Sequence, residues 1–113
     1  MKNFTPKEIF RLPQLKLAVI GHVEWVTFVK VDQLPIAGQI SHAKDYFEEA
    51  AGGAAVAAVQ MARLINGPVD LITSLGKDTY GEKCYERLTR LGLNLKVAWR
   101  EKPTRKGISF ISK

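Results

Sequence analysis

The stretch from Ala50 to Gly81 constrains the fold more than any other part of the chain. A glycine pair, Gly52-Gly53, opens an alanine-rich run, and from Ala54 to Ile65 only Gln60 and Arg63 are polar. With Asn66 they fall on one narrow arc at helical spacing, so the expectation is a helix over 54–65 that is covered on most sides. Asn66-Gly67-Pro68 stops it. Val69 to Leu75 then reads as a buried strand, and a turn marked by Gly76, Asp78 and Gly81 leads into another helix. Glycines without a β-carbon let a ligand or another backbone approach the helix N-terminus, whose free N–H donors suit a hydroxyl-rich or anionic group. The same pair also reads as a plain loop ahead of a core helix.

On the N-terminal side, Thr5, Pro6 and Glu8 carry the signature of a capped helix start, which predicts a short helix from Asn3 to Leu12, ended by Pro13. Residues 1–14 read as an appendage. Leu15 to Gly21 is a continuous apolar run that suits a buried strand of a parallel sheet. His22 to Val31 continues as a second extended segment, 33–38 is a turn-rich break, and 40–47 reads as a third, exposed strand. After the central stretch, Thr79-x-x-Glu82 is a capping box for a helix near 80–91 with Tyr80, Cys84, Leu88 and Leu91 on one stripe, and Gly92 suits the left-handed position past its end. Leu93 to Trp99 and 107–112 are further strands, joined by a polar loop or hairpin at 100–106. Strands alternating with helices give an α/β domain with a mainly parallel sheet. The segments 23–31, 40–47 and 107–112 have no helices between them and are expected to form a small separate sheet.

Composition narrows the partners. With 46% hydrophobic and 25% charged residues, the 113-residue chain has the make-up of one ordinary globular domain rather than a disordered one. No apolar run reaches the roughly 20 residues of a membrane span, and the N-terminus lacks a signal-peptide core. The single Cys84 excludes an internal disulfide and fits a reducing, cytoplasmic location. No histidine–cysteine spacing suits a metal. The formal net charge of +6 is concentrated between Lys96 and Lys113, where six basic residues face Glu101 alone. Solvated loop charge is the default for that cluster. A nucleic-acid surface is disfavoured because no aromatic lies among the basic residues from Arg100 to Lys106; a phosphate-bearing ligand is a third option.

In this order, six features resemble the N-terminal part of a PfkB-family, ribokinase-like carbohydrate kinase. They are Val19-Ile-Gly21, Val31-Asp-Gln-Leu-Pro-Ile-Ala-Gly38, Gly52-Gly53 before the alanine-rich helix, Ser74-Leu-Gly-Lys-Asp-Thr-Tyr-Gly81, Leu91-Gly-Leu-Asn-Leu95, and Pro103-Thr104 before a strand. The resemblance implies an incomplete ribokinase-like, Rossmann-type three-layer α/β sandwich over residues 15–113, with a small β-sheet lid from strands near 23–31, 40–47 and 107–112. It implies ATP-dependent phosphorylation of a sugar or related hydroxyl compound, with Mg2+, by the full-length kinase. It also places Gly52 and Gly53 in the substrate site, and a homodimer through the lid sheet is compatible with it.

Three departures qualify the resemblance. The family's first strand ordinarily leads into Gly-x-x-Asn-x-Asp, whose Asn and Asp bind sugar hydroxyls; here those positions hold Glu24 and Val26. The Lys and Asn that often follow the glycine pair are replaced by Ala54 and Ala57. Glu24 can accept hydroxyl hydrogen bonds in place of the missing pair, or be a surface acid. Arg105 can meet a negative group on a substrate, or be solvated. Third, the Gly-x-Gly-Asp motif that carries the family's catalytic base is absent, since no two glycines are separated by one residue. The expectation is therefore a substrate-binding and lid portion with no catalytic residue and no bound nucleotide of its own, inactive by itself, with apolar surface left bare. The alternative is a non-catalytic small-ligand-binding or regulatory module derived from the same fold. An unrelated Rossmann-type nucleotide binder is a weaker reading, because Gly52-Gly53 lacks the Gly-x-Gly-x-x-Gly spacing.

Overall fold

In the computed structural model, residues 15–65 and 67–112 are described. The expected helix at 3–12 and the appendage at 1–14 lie outside them, as does Asn66. Two three-stranded sheets and two helices make up the described chain: β1 (Leu17–Ile20), β2 (Glu24–Val31), β3 (Asp45–Ala51), α1 (Gly53–Ile65), β4 (Val69–Gly76), α2 (Thr79–Arg90), β5 (Leu93–Arg100) and β6 (Lys106–Ser112). The body sheet runs β1-β4-β5 and is parallel throughout, with Val19 opposite Leu71 and Leu71 opposite Leu95. The second sheet runs β3-β2-β6, antiparallel between β2 and β3 and parallel between β2 and β6.

Both helices lie on one face of the body sheet, because each is the crossover between two neighbouring parallel strands and such crossovers share one hand. Their buried side chains meet there: Ala54, Ala55 and Ala58 of α1 and Cys84 and Leu88 of α2 close over Val69, Leu71, Leu75 and Leu93. Alanines at the contact bring α1 close to the strands. Among the described residues, the opposite face carries no helix. Alternation puts Ile20 and Ile72 on it, 76% and 37% exposed. The principal extents of 54 × 43 × 19 Å fit one sheet with one helix layer.

Several expectations need correction. The first strand is four residues long and only half-buried, since it is an edge strand covered on one side. Helix α1 is covered on one face only; Val56 and Leu64 stay 54% and 56% exposed, so its apolar surroundings are not completed by the described residues. The third strand is not 40–47 but Asp45–Ala51. Glu48 and Glu49, adjacent acids that argue against a strand, are each held by a cation or donor from elsewhere: the Trp25 indole N–H for Glu48, Arg87 for Glu49. The cap of α2 is Asp78, whose side chain accepts from the Gly81 N–H, one residue ahead of the expected Thr79–Glu82 box. Of the loop or hairpin expected at 100–106, the structure has the loop, at 101–105, and it carries the chain from the body sheet to the second sheet.

Candidate functional site

In open parallel α/β sheets, ligands gather outside the carboxyl ends of the strands. At that edge β1 gives way to Gly21, His22 and Val23, and β3 runs directly into the glycine pair. Gly52 has φ +100°, and a β-carbon there would lie 2.8 Å from the His22 carbonyl oxygen and 3.1 Å from the Val23 Cα. The turn into α1 is thus packed against the end of β1. Gly53 is different: a β-carbon there would have only the His22 ring as a neighbour, at 3.8 Å.

Glu24 opens β2 opposite Ala51, the residue before the pair. Its Oε1 lies 3.5 Å from where a Gly107 β-carbon would be, so the carboxylate sits over the start of β6. Arg105 immediately precedes β6, and its carbonyl accepts from the Trp25 N–H at 2.9 Å. The structure therefore gathers Gly52, Gly53 and Glu24 about the segment 22–24. Arg105 joins them through the backbone, and it also lines a neighbouring cavity.

That cavity has a volume of about 270 Å³ and is lined by residues from the ends of β1, β4 and β5 and by the 102–105 segment. His22, Arg100, Lys102 and Arg105 are among them, and no acidic residue is. Among the described residues, none of these three cations forms an ion pair, whereas Lys77 and Lys96 are taken up by Glu101 and Asp70. Sequence reasoning singled out Arg105 but missed Arg100 and Lys102 as its companions; their membership of one basic cluster was the available signal. His22 gave no signal at all.

A polar joint behind this edge was also missed. Asp78 Oδ1 accepts from the Gly81 N–H at 2.7 Å and from the Thr104 hydroxyl at 2.8 Å, while Oδ2 accepts from the Thr104 N–H at 2.7 Å. The Thr104 hydroxyl in turn accepts from the Gly76 N–H at 2.9 Å. The Thr104 N–H, then the Gly81 N–H and the Thr104 hydroxyl, hold the Asp78 carboxyl below its ordinary value against some opposing desolvation. Glycine is required on both sides, since a β-carbon on Gly81 would overlap the Gly76 carbonyl oxygen. The spacing Gly76-x-Asp78-x-x-Gly81 with Pro103-Thr104 was visible in the sequence, but not that its members bond to one another.

No candidate nucleophile emerges from Cys84. Burial, with the charges of Asp78 and Glu49 behind it, pushes its thiol up to about 12. Among the described residues, no three metal-ligating side chains cluster, and no helix is long and apolar enough to cross a membrane.

A family model described as pfkB family carbohydrate kinase matches residues 14–113. Among solved structures, the chain is similar to ribokinase from Thermotoga maritima at 23% identity and TM-score 0.76, over 88% of this chain and 33% of that one. Ribokinase from Giardia lamblia is similar at 19% identity and TM-score 0.77, over 88% and 33%. Phosphofructokinase-2 from Escherichia coli, solved in complex with fructose-6-phosphate, is similar at 15% identity and TM-score 0.77, over 88% and 32%. The chain spans about a third of the length of these structures. No curated protein matches it. These likenesses make the fold ribokinase-like α/β.

Proposed function

From the premise that this chain belongs to the pfkB family of carbohydrate kinases, we propose that it is the substrate-binding and lid part of an ATP-dependent kinase acting on a sugar or related hydroxyl compound. The observation that carries the reading is the glycine pair, with Gly52 packed against His22 and Val23 just past the end of β1, and the β3-β2-β6 sheet beginning at the same place. In this reading Gly53 and the N-terminus of α1 offer N–H donors to substrate oxygens, and Glu24 accepts from substrate hydroxyls. Arg105, beside Arg100 and Lys102, meets a negative group if the substrate carries one.

Nucleotide and Mg2+ are assigned to residues outside this chain. Positioning of a transferred phosphoryl group needs a base, backbone donors and cation ligands held together. The described residues bring together neither a cluster of carboxylates nor the Gly-x-Gly-Asp donors, so the fit to ATP and its cation is poor. What these residues do is bind, orient and exclude water under the lid.

The test is calorimetric titration of the purified chain with a panel of sugars, sugar phosphates and nucleosides, beside a coupled assay for ATP-dependent phosphorylation. The expected result is binding of one hydroxyl-rich class and no turnover. Glu24→Ala should cost about 1–3 kcal/mol of binding, the range for leaving hydrogen-bonding groups unpaired. Equal binding by wild type, Glu24→Ala and Gly53→Val would place the substrate site elsewhere, and turnover by this chain that survives substitution of Asp78 and Glu24 would overturn the division of labour.

A further inference from the structure

Helix α2 has two working faces. Gly81, Cys84 and Leu88 are buried in the body. Tyr80, Lys83 and Arg87, at spacings of three and four, form a separate stripe, and with the cap residue Asp78 they reach every strand of the second sheet. Asp78 holds Thr104, on the segment entering β6, through both carboxylate oxygens. The Lys106 ammonium of β6 lies 4.5 Å from the Tyr80 ring centre. The Lys83 ammonium lies between the Trp25 ring of β2 and the Tyr80 ring of its own helix, 5.6 and 5.5 Å from their centres. Arg87 makes a two-pronged ion pair with Glu49 of β3, at 2.8 and 2.9 Å. Each contact is modest, but together they fix three strands to one rigid rod that is itself rooted in the core. Among the described residues, the contacts of α1 with the second sheet are chiefly with β3, the strand that leads into it.

We propose that this stripe of α2 sets the angle of the second sheet over the carboxyl edge of the body, with Asp78 as its main positioning residue. In the ligand-free chain the sheet is then held at an angle that these contacts define. That the sheet acts as a lid rests on the kinase reading above; that α2 holds it does not.

Asp78 is also a helix cap, and one substitution separates the two roles. Asparagine caps about as well as aspartate. In Asp78→Asn, however, either orientation of the amide sets an NH2 group against a backbone N–H, of Thr104 or of Gly81. The experiment is amide hydrogen exchange read by mass spectrometry on the whole chain, without sugar or nucleotide, so that a failure of substrate binding leaves the outcome readable. Asp78→Asn is expected to speed exchange about tenfold or more across 24–31, 45–51 and 106–112 while 69–75 and 93–98 stay within twofold. Arg87→Gln, an exposed position where folding is not at stake, is expected to speed exchange several-fold in 45–51 and 24–31 only. In 1 M salt the wild type should shift in the same direction as Arg87→Gln, because exposed ion pairs are screened. Unchanged exchange in Asp78→Asn would make Asp78 a cap and nothing more. An equal rise in both sheets, in either variant, would make the stripe a general stabiliser, and both results overturn the proposal.

Discussion

Two adjacent glycines should respond in opposite ways to the same substitution. At Gly52 an alanine meets two penalties. Its φ of +100° lies in the region that L-residues avoid, and the new β-carbon would stand 2.8 Å from the His22 carbonyl oxygen, where backbone on both sides limits relief. The conformational part alone is worth about 1–2 kcal/mol, and with the steric part Gly52→Ala should cost about 2–4 kcal/mol, the upper part of the range for single substitutions. At Gly53, the first residue of α1, φ is ordinary and, its own helix backbone aside, the nearest atom an added β-carbon would meet is in the His22 ring, 3.8 Å away. There alanine removes freedom from the unfolded chain and should stabilise by about 0.4–1 kcal/mol. Thermal unfolding followed by circular dichroism reads both, with Gly52→Ala melting about 10 °C or more below wild type and Gly53→Ala a few degrees above it. If Gly53→Ala melts no higher than Gly52→Ala, the geometry assigned to the pair is wrong. A Gly53→Ala protein that is more stable yet binds substrate less well would further separate the site from the scaffold.

Leu71→Ala, at a fully buried position of the central strand, should cost about 2–5 kcal/mol in urea titration. Ile20→Ala, on a similarly apolar strand but 76% exposed, should stay within about 0.5 kcal/mol, and equal effects would refute the assignment of faces. Asp78 and Glu49 both titrate below their ordinary values, Asp78 through Thr104 and Glu49 through Arg87. Their folded values lie under the unfolded ones, so their contribution is complete above the unfolded carboxylate value and is lost as pH falls through the folded value. The urea midpoint should be level between pH 6 and 8 and drop below about pH 4, with a shallower drop in Thr104→Val; a midpoint that rises on acidification would contradict the bonding seen. Cys84, buried and pushed up to about 12, should react with a disulfide reagent at pH 8 far more slowly than a free thiol and only as fast as the protein opens, and rapid labelling of folded protein would show the helix packing to be wrong.

What the sequence settled by itself is what depends on neighbours a few residues apart. The alanine-rich run at 54–65, the helix near 80–91, the apolar strand at 69–75 and the stop at Gly67-Pro68 are local patterns, and each became the expected element in the expected place; of the expected stripe Tyr80, Cys84, Leu88 and Leu91, only Cys84 and Leu88 are fully buried, and Tyr80 turns toward the second sheet. Gly92 adopts its left-handed conformation, φ +93°, for the same reason. The order of these elements was enough to reach the family. Only the tertiary structure decided the rest. Strand β3 exists because β2 offers it a ladder from Glu24 to Lys30 and because Trp25 and Arg87 satisfy its two glutamates, partners 23 and 38 residues away. The parallel pairing of β2 with β6 joins residues about 80 apart, as Val26 with Gly107, so no window of sequence contains both. Asp78 and Thr104, separated by 26 residues, become one joint only because β5 returns the chain to the end of β4. Arg100, Lys102 and Arg105 surround a cavity for the same reason: the sheet brings His22 and Ser74 to its other wall. Side chains a few positions apart share a helix face or strand face whatever the fold, whereas contacts across tens of residues depend on the order and register of the strands, which local propensity does not encode.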